Sequence, residues 1–284
     1  MVAYLGTGLL GSNFVRAMLK KGVQVQVWNR TIEKAKALEE YGAKVFLSPA
    51  AVVKGCNRVH LTLSDDAAVD DILEQARAGF EKDVIILDHT TTSAEGAAKR
   101  SEQWKGRGYS YLHTPVFMGP QNALESTGSM MASGDKQLFD KVEKELAAMT
   151  GKLLYLGERP DKAACTKLLG NLFLICMTGA ISDTVALAKA LDIPGSDILS
   201  LFEFFNPASM VMGRTKGMMA RNYDEPTWEL NMARKDARLM MEGAQYKGVS
   251  MTVLPAIAKE MDKQIAEGNG KKNWTIFSKD SIGS

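Results

Sequence analysis

The chain has 284 residues, of which 45% are hydrophobic and 24% charged, the balance of a globular protein with core enough for two domains. Its 35 basic and 33 acidic residues leave a formal net charge of +2, so nothing advertises nucleic acid or an acidic membrane surface as a partner. Three cysteines without C-x-x-C spacing speak against a disulfide framework or a zinc site. No leader-like segment or unbroken apolar span is visible, and the expected setting is reducing and cytoplasmic.

Val2 to Leu5 reads as a strand that runs straight into Gly6-Thr7-Gly8-Leu9-Leu10-Gly11, with Phe14, Val15, Met18 and Leu19 following at helical spacing. Strand, G-x-G-x-x-G turn and helix are the three parts of a dinucleotide site. The first glycine permits the tight turn, the second lets the pyrophosphate approach the backbone, and the third lets helix pack on strand. The helix N-terminus then presents free N–H groups and a positive dipole end to the phosphates. Val23 to Trp28 is the second strand, at the spacing of a βαβ unit, and it ends in Asn29-Arg30-Thr31. An NAD site places an acid at that point for the ribose 2′-hydroxyl. Here an amide, a guanidinium and a hydroxyl suit a 2′-phosphate, which favours NADP over NAD. A plainer reading stays open, in which Arg30 is a solvated charge and Thr31 caps a helix from Ile32 to Tyr41.

After Lys44-Val45-Phe46, Ser48-Pro49 opens a short helix that ends near Gly55. Arg58 to Leu63 is the next strand, and Ser64-Asp65-Asp66 caps the helix after it. Asp83 to Asp88 reads as a buried parallel strand, Ser93 caps a further helix, and Tyr109 to His113, Gly128 to Ser133 and Leu153 to Leu156 are the remaining strands. This alternation predicts an α/β fold: a doubly wound, Rossmann-type sheet over residues 1–160. Past Gly157-Glu158-Arg159-Pro160 only helical periodicity remains, so residues 161–284 are expected to form an all-helical domain for substrate and oligomerisation. A long helix from Lys162 to about Ala190 joins the halves. Others run from Asp197 to Phe205, Ala208 to Arg221, Glu229 to Lys247 and Thr252 to Glu267. Met210-Val211-Met212 and Met218-Met219, with the apolar faces of the last helices, exceed what one small domain covers by itself. They predict a homodimer or higher homo-oligomer, with a single core as the alternative.

The long helix is apolar nearly all round, which predicts burial on most faces. Lys167 and Asn171 interrupt it, and their i, i+4 spacing puts them on one face. A lysine kept from water has a lowered pKa and serves as a general acid/base near neutral pH. A lysine that snorkels to solvent is the competing reading.

The whole chain resembles the β-hydroxyacid dehydrogenases, the group of 3-hydroxyisobutyrate dehydrogenase, glyoxylate and succinic semialdehyde reductases and 6-phosphogluconate dehydrogenase. The resemblance rests on the glycine turn, on Asn29-Arg30-Thr31 as in NADP-using members, on Leu61-Thr62-Leu63-Ser64-Asp65, on Asp88-His89-Thr90-Thr91-Thr92-Ser93, on Lys167-x-x-x-Asn171 and on Lys235-Asp236. It implies hydride transfer between a nicotinamide and a carbonyl or hydroxyl carbon of a small molecule. Lys167 would be the catalytic acid/base and Asn171 its partner, with Leu63 and Ser64 beside the cofactor ribose and Thr91 on the nicotinamide side. Lys235 would reach toward the cofactor. Imine reduction, by relatives that usually replace the lysine, and NADP binding without turnover are the alternatives.

One motif departs. The family's Asp-x-Pro-Val-Ser-Gly-Gly, which grips a substrate carboxylate, reads His113-Thr114-Pro115-Val116-Phe117-Met118-Gly119-Pro120 here. The hydroxyl is gone and Pro120 has no N–H. Phe117 and Met118 are expected to line the substrate site and point to a more apolar or differently anchored substrate. Gly119 is retained and Asn122 is a replacement donor. The opposing reading turns Phe117 and Met118 inward and leaves a carboxylate to Asn122 with Gly119. His60, His89 and His113 lack metal-ligand spacing, and no metal is expected. His60 reads as packing, and His113 is the one histidine placed near the altered loop.

Overall fold

Val2, Ala3, Tyr4 and Leu5 are all buried, because the strand they form lies inside a parallel sheet covered on both faces. The computed structural model describes residues 1–282. In chain order the sheet is built from β1 (Val2–Leu5), α1 (Leu9–Lys20), β2 (Val25–Trp28), α2 (Ile32–Lys36), β3 (Lys44–Val45), α3 (Pro49–Val52), β4 (Arg58–Leu61), α4 (Asp66–Ala76), β5 (Ile85–Asp88), α5 (Ala94–Gly106) and β6 (Ser110–His113). The six strands lie in the order β3-β2-β1-β4-β5-β6, all parallel. This is the strand order of a Rossmann fold, whose ligand crevice lies beyond the C-terminal ends of the strands, where the order reverses. Alternate residues serve opposite faces: Val2 and Tyr4 join Phe14, Val27 and Leu87 in one core, while Ala3 and Leu5 join Val59, Leu61 and Ile86 in the other.

The later strands do not extend this sheet, as the sequence suggests they should. β7 (Val116–Phe117), α6 (Pro120–Glu125), β8 (Ser129–Ala132), α7 (Lys136–Ala147) and β9 (Lys152–Tyr155) form a separate three-stranded sheet. In it β7 runs antiparallel to β8, and β8 is parallel to β9. The helix expected to reach Tyr41 ends at Lys36 and resumes as a single 3₁₀ turn over Glu39–Tyr41.

Then follow α8 (Lys162–Ala190), α9 (Gly195–Phe204), α10 (Val211–Met219), α11 (Leu230–Tyr246), α12 (Leu254–Ala266) and a 3₁₀ helix, Trp274–Ile282. The chain divides into two compact units after Asn171, inside α8 and not ahead of it at residue 160. The reason lies at the helix start. Ser133 Oγ accepts from the Ala163 N–H at 2.8 Å and donates to the Pro160 carbonyl at 2.9 Å, which fastens the first turns to β8. In the second unit, Tyr223, Leu230, Ala233, Ala237, Met261 and Ile276 make the core. There Asp183 accepts the N–H groups of Thr252, Val253 and Leu254 at 2.6, 2.8 and 2.9 Å, at the start of α12.

α8 is not buried on most faces. Leu169, Leu172 and Ile175 are 67%, 60% and 70% exposed. By length and composition it is also apolar enough to cross a membrane, with a mean hydropathy of 1.5 over its best window. Isolated polar residues such as Lys167 and Asn171 interrupt the run without lowering its average, so the sequence's exclusion of any such span does not hold on those grounds.

Candidate cofactor and active site

The three glycines of the first turn are held to three different requirements. Gly6 has φ +93°, and a Cβ there would lie 2.2 Å from the Thr62 carbonyl oxygen. A Cβ at Gly11 would lie 2.0 Å from the Gly6 carbonyl oxygen, so helix and turn touch through backbone alone. At Gly8 a Cβ would meet nothing within 4 Å. The open side of the turn is therefore the side from which a pyrophosphate must come. No side chain caps α1 at Gly8, which leaves its first N–H groups for a ligand. Thr7 Oγ1 is buried there with no partner among the described residues, while Leu9 is 82% exposed and Leu10 partly covered.

Asn29 spans two loops. Its Oδ1 accepts the Thr7 N–H at 2.9 Å, and its Nδ2 donates to the Thr31 carbonyl at 2.9 Å. It braces the two loops and keeps one N–H unused by these contacts. Arg30 and Thr31 are exposed at the end of β2. The Thr31 hydroxyl makes no capping bond to α2, so the capping explanation for this residue falls away.

A buried polar network fixes the two loops that follow β4 and β5. The Leu63 N–H donates to Thr90 Oγ1 at 3.0 Å, and the Thr90 N–H donates to Asp88 Oδ1 at 2.9 Å. Tyr111 Oη donates to the other Asp88 oxygen at 2.7 Å. Burial and the neighbouring Asp88 push the Tyr111 hydroxyl well above its ordinary pKa. Arg100, 1% exposed, reaches Tyr111, Asp70 and Asp66 at 3.3, 3.2 and 2.6 Å. Asp66 in turn accepts the Ser93 N–H at 2.8 Å. Ser64 and Thr91 stand exposed on the loops so held. Sequence reading missed Asp88, Tyr111 and Arg100 as supports. The available signals were an acid closing an apolar strand and an arginine sharing a helix face with Ala97 and Trp104.

The histidines are not independent. His60 Nδ1 lies 3.0 Å from His89 Nε2, and His60 Nε2 lies 2.8 Å from Glu145 Oε1. His89 Nδ1 faces the Thr114 carbonyl at 3.1 Å and its hydroxyl at 2.9 Å. Burial, then the adjacent His60, lowers the His89 pKa to about 3. His113 is fully buried, with Nε2 2.9 Å from the Thr90 carbonyl. It braces the Thr90 loop from behind. Among the described residues, no group of three or more His, Cys, Asp or Glu is arranged to hold a metal ion.

Lys167 and Asn171 are both half-buried. Lys167 Nζ sits 4.2 Å from the centroid of the Phe117 ring, and burial lowers its pKa. Phe117 lies so close to α8 that a Cβ at Gly170 would be 2.3 Å from Phe117 Cζ. The altered loop thus delivers an aromatic face to the lysine. Met118 turns the other way, into the core beneath α6, with its Cγ 2.9 Å from where a Gly128 Cβ would be. Asn122 is not free either: its Oδ1 accepts the Gly119 N–H at 2.9 Å and its Nδ2 donates to Thr127 Oγ1 at 3.0 Å. These contacts occupy the Gly119 N–H, Asn122 Oδ1 and one Asn122 N–H within the loop itself, and pack Met118 beneath α6. Lys235 lies on α11 in the second unit, paired with Asp236 at 2.6 Å.

The family described as the NAD binding domain of 6-phosphogluconate dehydrogenase matches residues 1–157. Glyoxylate/succinic semialdehyde reductase 1 of Arabidopsis thaliana is 32% identical over 286 residues, 96% of each chain. The chain belongs to the β-hydroxyacid dehydrogenase family. It is also similar to the human cytokine-like nuclear factor N-PAC, at 27% identity over 241 residues. That match takes in 84% of this chain but 43% of N-PAC. An imine reductase from Myxococcus stipitatus, solved in complex with NADP⁺, has the same fold, with a TM-score of 0.91, 18% identity and coverage of 98% and 99% of the two chains. This β-hydroxyacid dehydrogenase relative is accordingly an NAD(P)-binding oxidoreductase of the dehydrogenase/reductase type, with a Rossmann unit followed by a helical one.

Proposed function

We propose that this chain is an NADPH-dependent reductase of aldehydes or ketones that carry an apolar body in place of a small acid's carboxylate. The observation that carries the substrate class is the loop Thr114–Pro120. Its Gly119 N–H is consumed by Asn122, Pro120 has none to give, and Phe117 occupies the approach to Lys167. A carboxylate there finds Lys167 but none of the loop donors that would complete its solvation, whereas an apolar group packs on the ring.

The open face of Gly8, the uncapped start of α1 and the orphaned Thr7 hydroxyl fit a dinucleotide pyrophosphate. Arg30 and Thr31 would take the 2′-phosphate, with Leu63, Ser64 and Thr91 along the ribose and nicotinamide. The bound nicotinamide supplies a hydride to the carbonyl carbon. Lys167 donates the proton to the carbonyl oxygen, and the half-buried setting that lowers its pKa makes that proton easier to release. Asn171, on the same helix face, orients the lysine or the substrate oxygen. Ser133 keeps both in place by anchoring the helix start. Lys235 is proposed to assist cofactor binding, as its position in the family pattern implies.

We further propose a homodimer formed over α8. A bilayer is the other environment that covers such a helix, but Lys167, Asn171 and Asp183 within it favour a protein partner, since charged and polar side chains at bilayer depth are expensive unless paired. The deciding assay follows oxidation of NADPH, with NADH in parallel, against succinic semialdehyde, an uncharged aldehyde of similar length and a cyclic imine. Turnover led by the uncharged aldehyde is expected. Preference for succinic semialdehyde would overturn the substrate class, preference for the imine would overturn carbonyl reduction, and no turnover would favour a cofactor-binding protein.

A further inference from the structure

At the opposite end of the strands from the glycine turn, the N-terminal unit encloses a cavity of about 460 Å³. Val2 and Arg58, which line it, begin β1 and β4 in register. It is therefore a strand's length, roughly 10 Å, from the turn after Leu5. Phe14, Ala17 and Met18 of α1 form its floor with Met149, and Lys21, Arg58 and Glu145 stand at its rim.

The rim carries an excess of positive charge. Both oxygens of Glu145 are already engaged, one by Arg58 Nε at 3.2 Å and the other by His60 Nε2 at 2.8 Å. Lys21 Nζ reaches only neutral acceptors, Ser126 Oγ and the Ala148 carbonyl, so no carboxylate balances its charge. An apolar chamber of several hundred Å³ with a few polar groups at one side is the usual form of a small-molecule site. A cation without a counter-ion at the edge of such a chamber selects an anion, whereas Arg58 beside it is already paired with Glu145 and bonded to the Asn57 carbonyl.

We propose that this cavity is a second binding site, for a monocarboxylate with a short apolar or aromatic body. The carboxylate would rest on Lys21, and the body on Phe14, Met18 and Met149, the two methionine thioethers making good contacts with an aromatic ring. Neither the glycine turn nor Lys167 takes part, so the ligand and the nicotinamide cofactor bind together.

The test is calorimetric titration of the full chain with 3-phenylpropionate and with its neutral counterpart 3-phenylpropan-1-ol, with and without saturating cofactor (NADPH or NADH). The acid should bind saturably and equally in both states, and about tenfold or more tighter than the alcohol. Lys21→Met should remove most of that difference, Ala17→Leu should block the floor, and Lys167→Ala should change nothing. Absence of saturable binding, equal binding of acid and alcohol, displacement by cofactor, or indifference to Lys21→Met would each overturn the proposal. If Ala17→Leu fails to fold, Lys21→Met decides alone, because Lys21 is exposed beyond the end of α1.

Discussion

At the level of single residues, Phe117 and Lys167 share one small volume, and each sets what the other can do. Replacing Lys167 by alanine should lower the reduction rate by about 10² to 10⁴ with cofactor affinity nearly unchanged, as read by steady-state kinetics and cofactor titration. A rate within a few-fold of wild type would remove the lysine from the mechanism. If protonated Lys167 is the acid, as proposed, kcat/KM for reduction should fall as pH rises through a midpoint below the ordinary lysine value of 10.5. Phe117→Ser should raise kcat/KM for succinic semialdehyde relative to the uncharged aldehyde, since a hydroxyl restores a donor and opens the approach. Arg30→Ala should weaken NADPH by about tenfold to a hundredfold and leave NADH alone, the worth of one charge-assisted contact. The glycines separate binding from folding. Gly8→Ala should leave the melting temperature near wild type and reduce cofactor affinity, whereas Gly11→Ala should destabilise the fold itself, because its Cβ would lie 2.0 Å from the Gly6 carbonyl oxygen and 3.1 Å from the Tyr4 ring.

At the level of elements, adjacent strands bring His60 and His89 together in the interior, and that pairing makes stability depend on pH. His89 stays neutral in the folded chain to about pH 3, whereas in the unfolded chain it takes a proton below about pH 6.5. The unfolded state thus binds the extra proton between those values, and stability falls on acidification by up to about 1.4 kcal/mol per pH unit. Glu145 adds to the loss lower down. Burial alone would raise its pKa, but His60 and Arg58 hold it below 4.5, so its contribution is present above that value and disappears as pH falls through its folded pKa. Thermal melts from pH 7 to pH 5 should show a decline that His89→Phe flattens, even if that variant melts lower throughout. The strand pattern was legible because βα alternation and the glycine turn are local signals. The second sheet was not, because β7 contributes only Val116 and Phe117 and its pairing with β8 is decided by tertiary contacts. The site divides the same way. Gly6, Gly8 and Gly11 and the Lys167–Asn171 spacing could be read from order along the chain, but the direction in which Met118 and Asn122 turn depends on α6, a helix with no strong periodic signature.

At the level of the whole molecule, α8 is the least self-sufficient part of the chain. Its exposed Leu169, Leu172, Phe173 and Ile175 make an apolar surface that a lone soluble chain rarely leaves uncovered. Light scattering should give about twice the 31.0 kDa chain mass at micromolar concentration, and Ile175→Asp should shift the species toward the monomer. A monomeric wild type, or recovery only in detergent, would count against the dimer.

Asn29 carries a consequence for anyone wishing to redesign cofactor choice. One amide ties the Thr7 N–H of the glycine turn to the Thr31 carbonyl, beside the residues proposed to take a 2′-phosphate. Adenosine selectivity and pyrophosphate affinity are therefore mechanically joined at this residue. The intuitive NAD-directed change, Asn29→Asp, would retain the acceptor for Thr7 but forfeit the donor to Thr31, cutting the tie between the two loops and releasing the second. Substitutions at Arg30 and Thr31 leave that tie intact, so a library aimed at switching nicotinamide preference should vary those two positions and hold Asn29 constant.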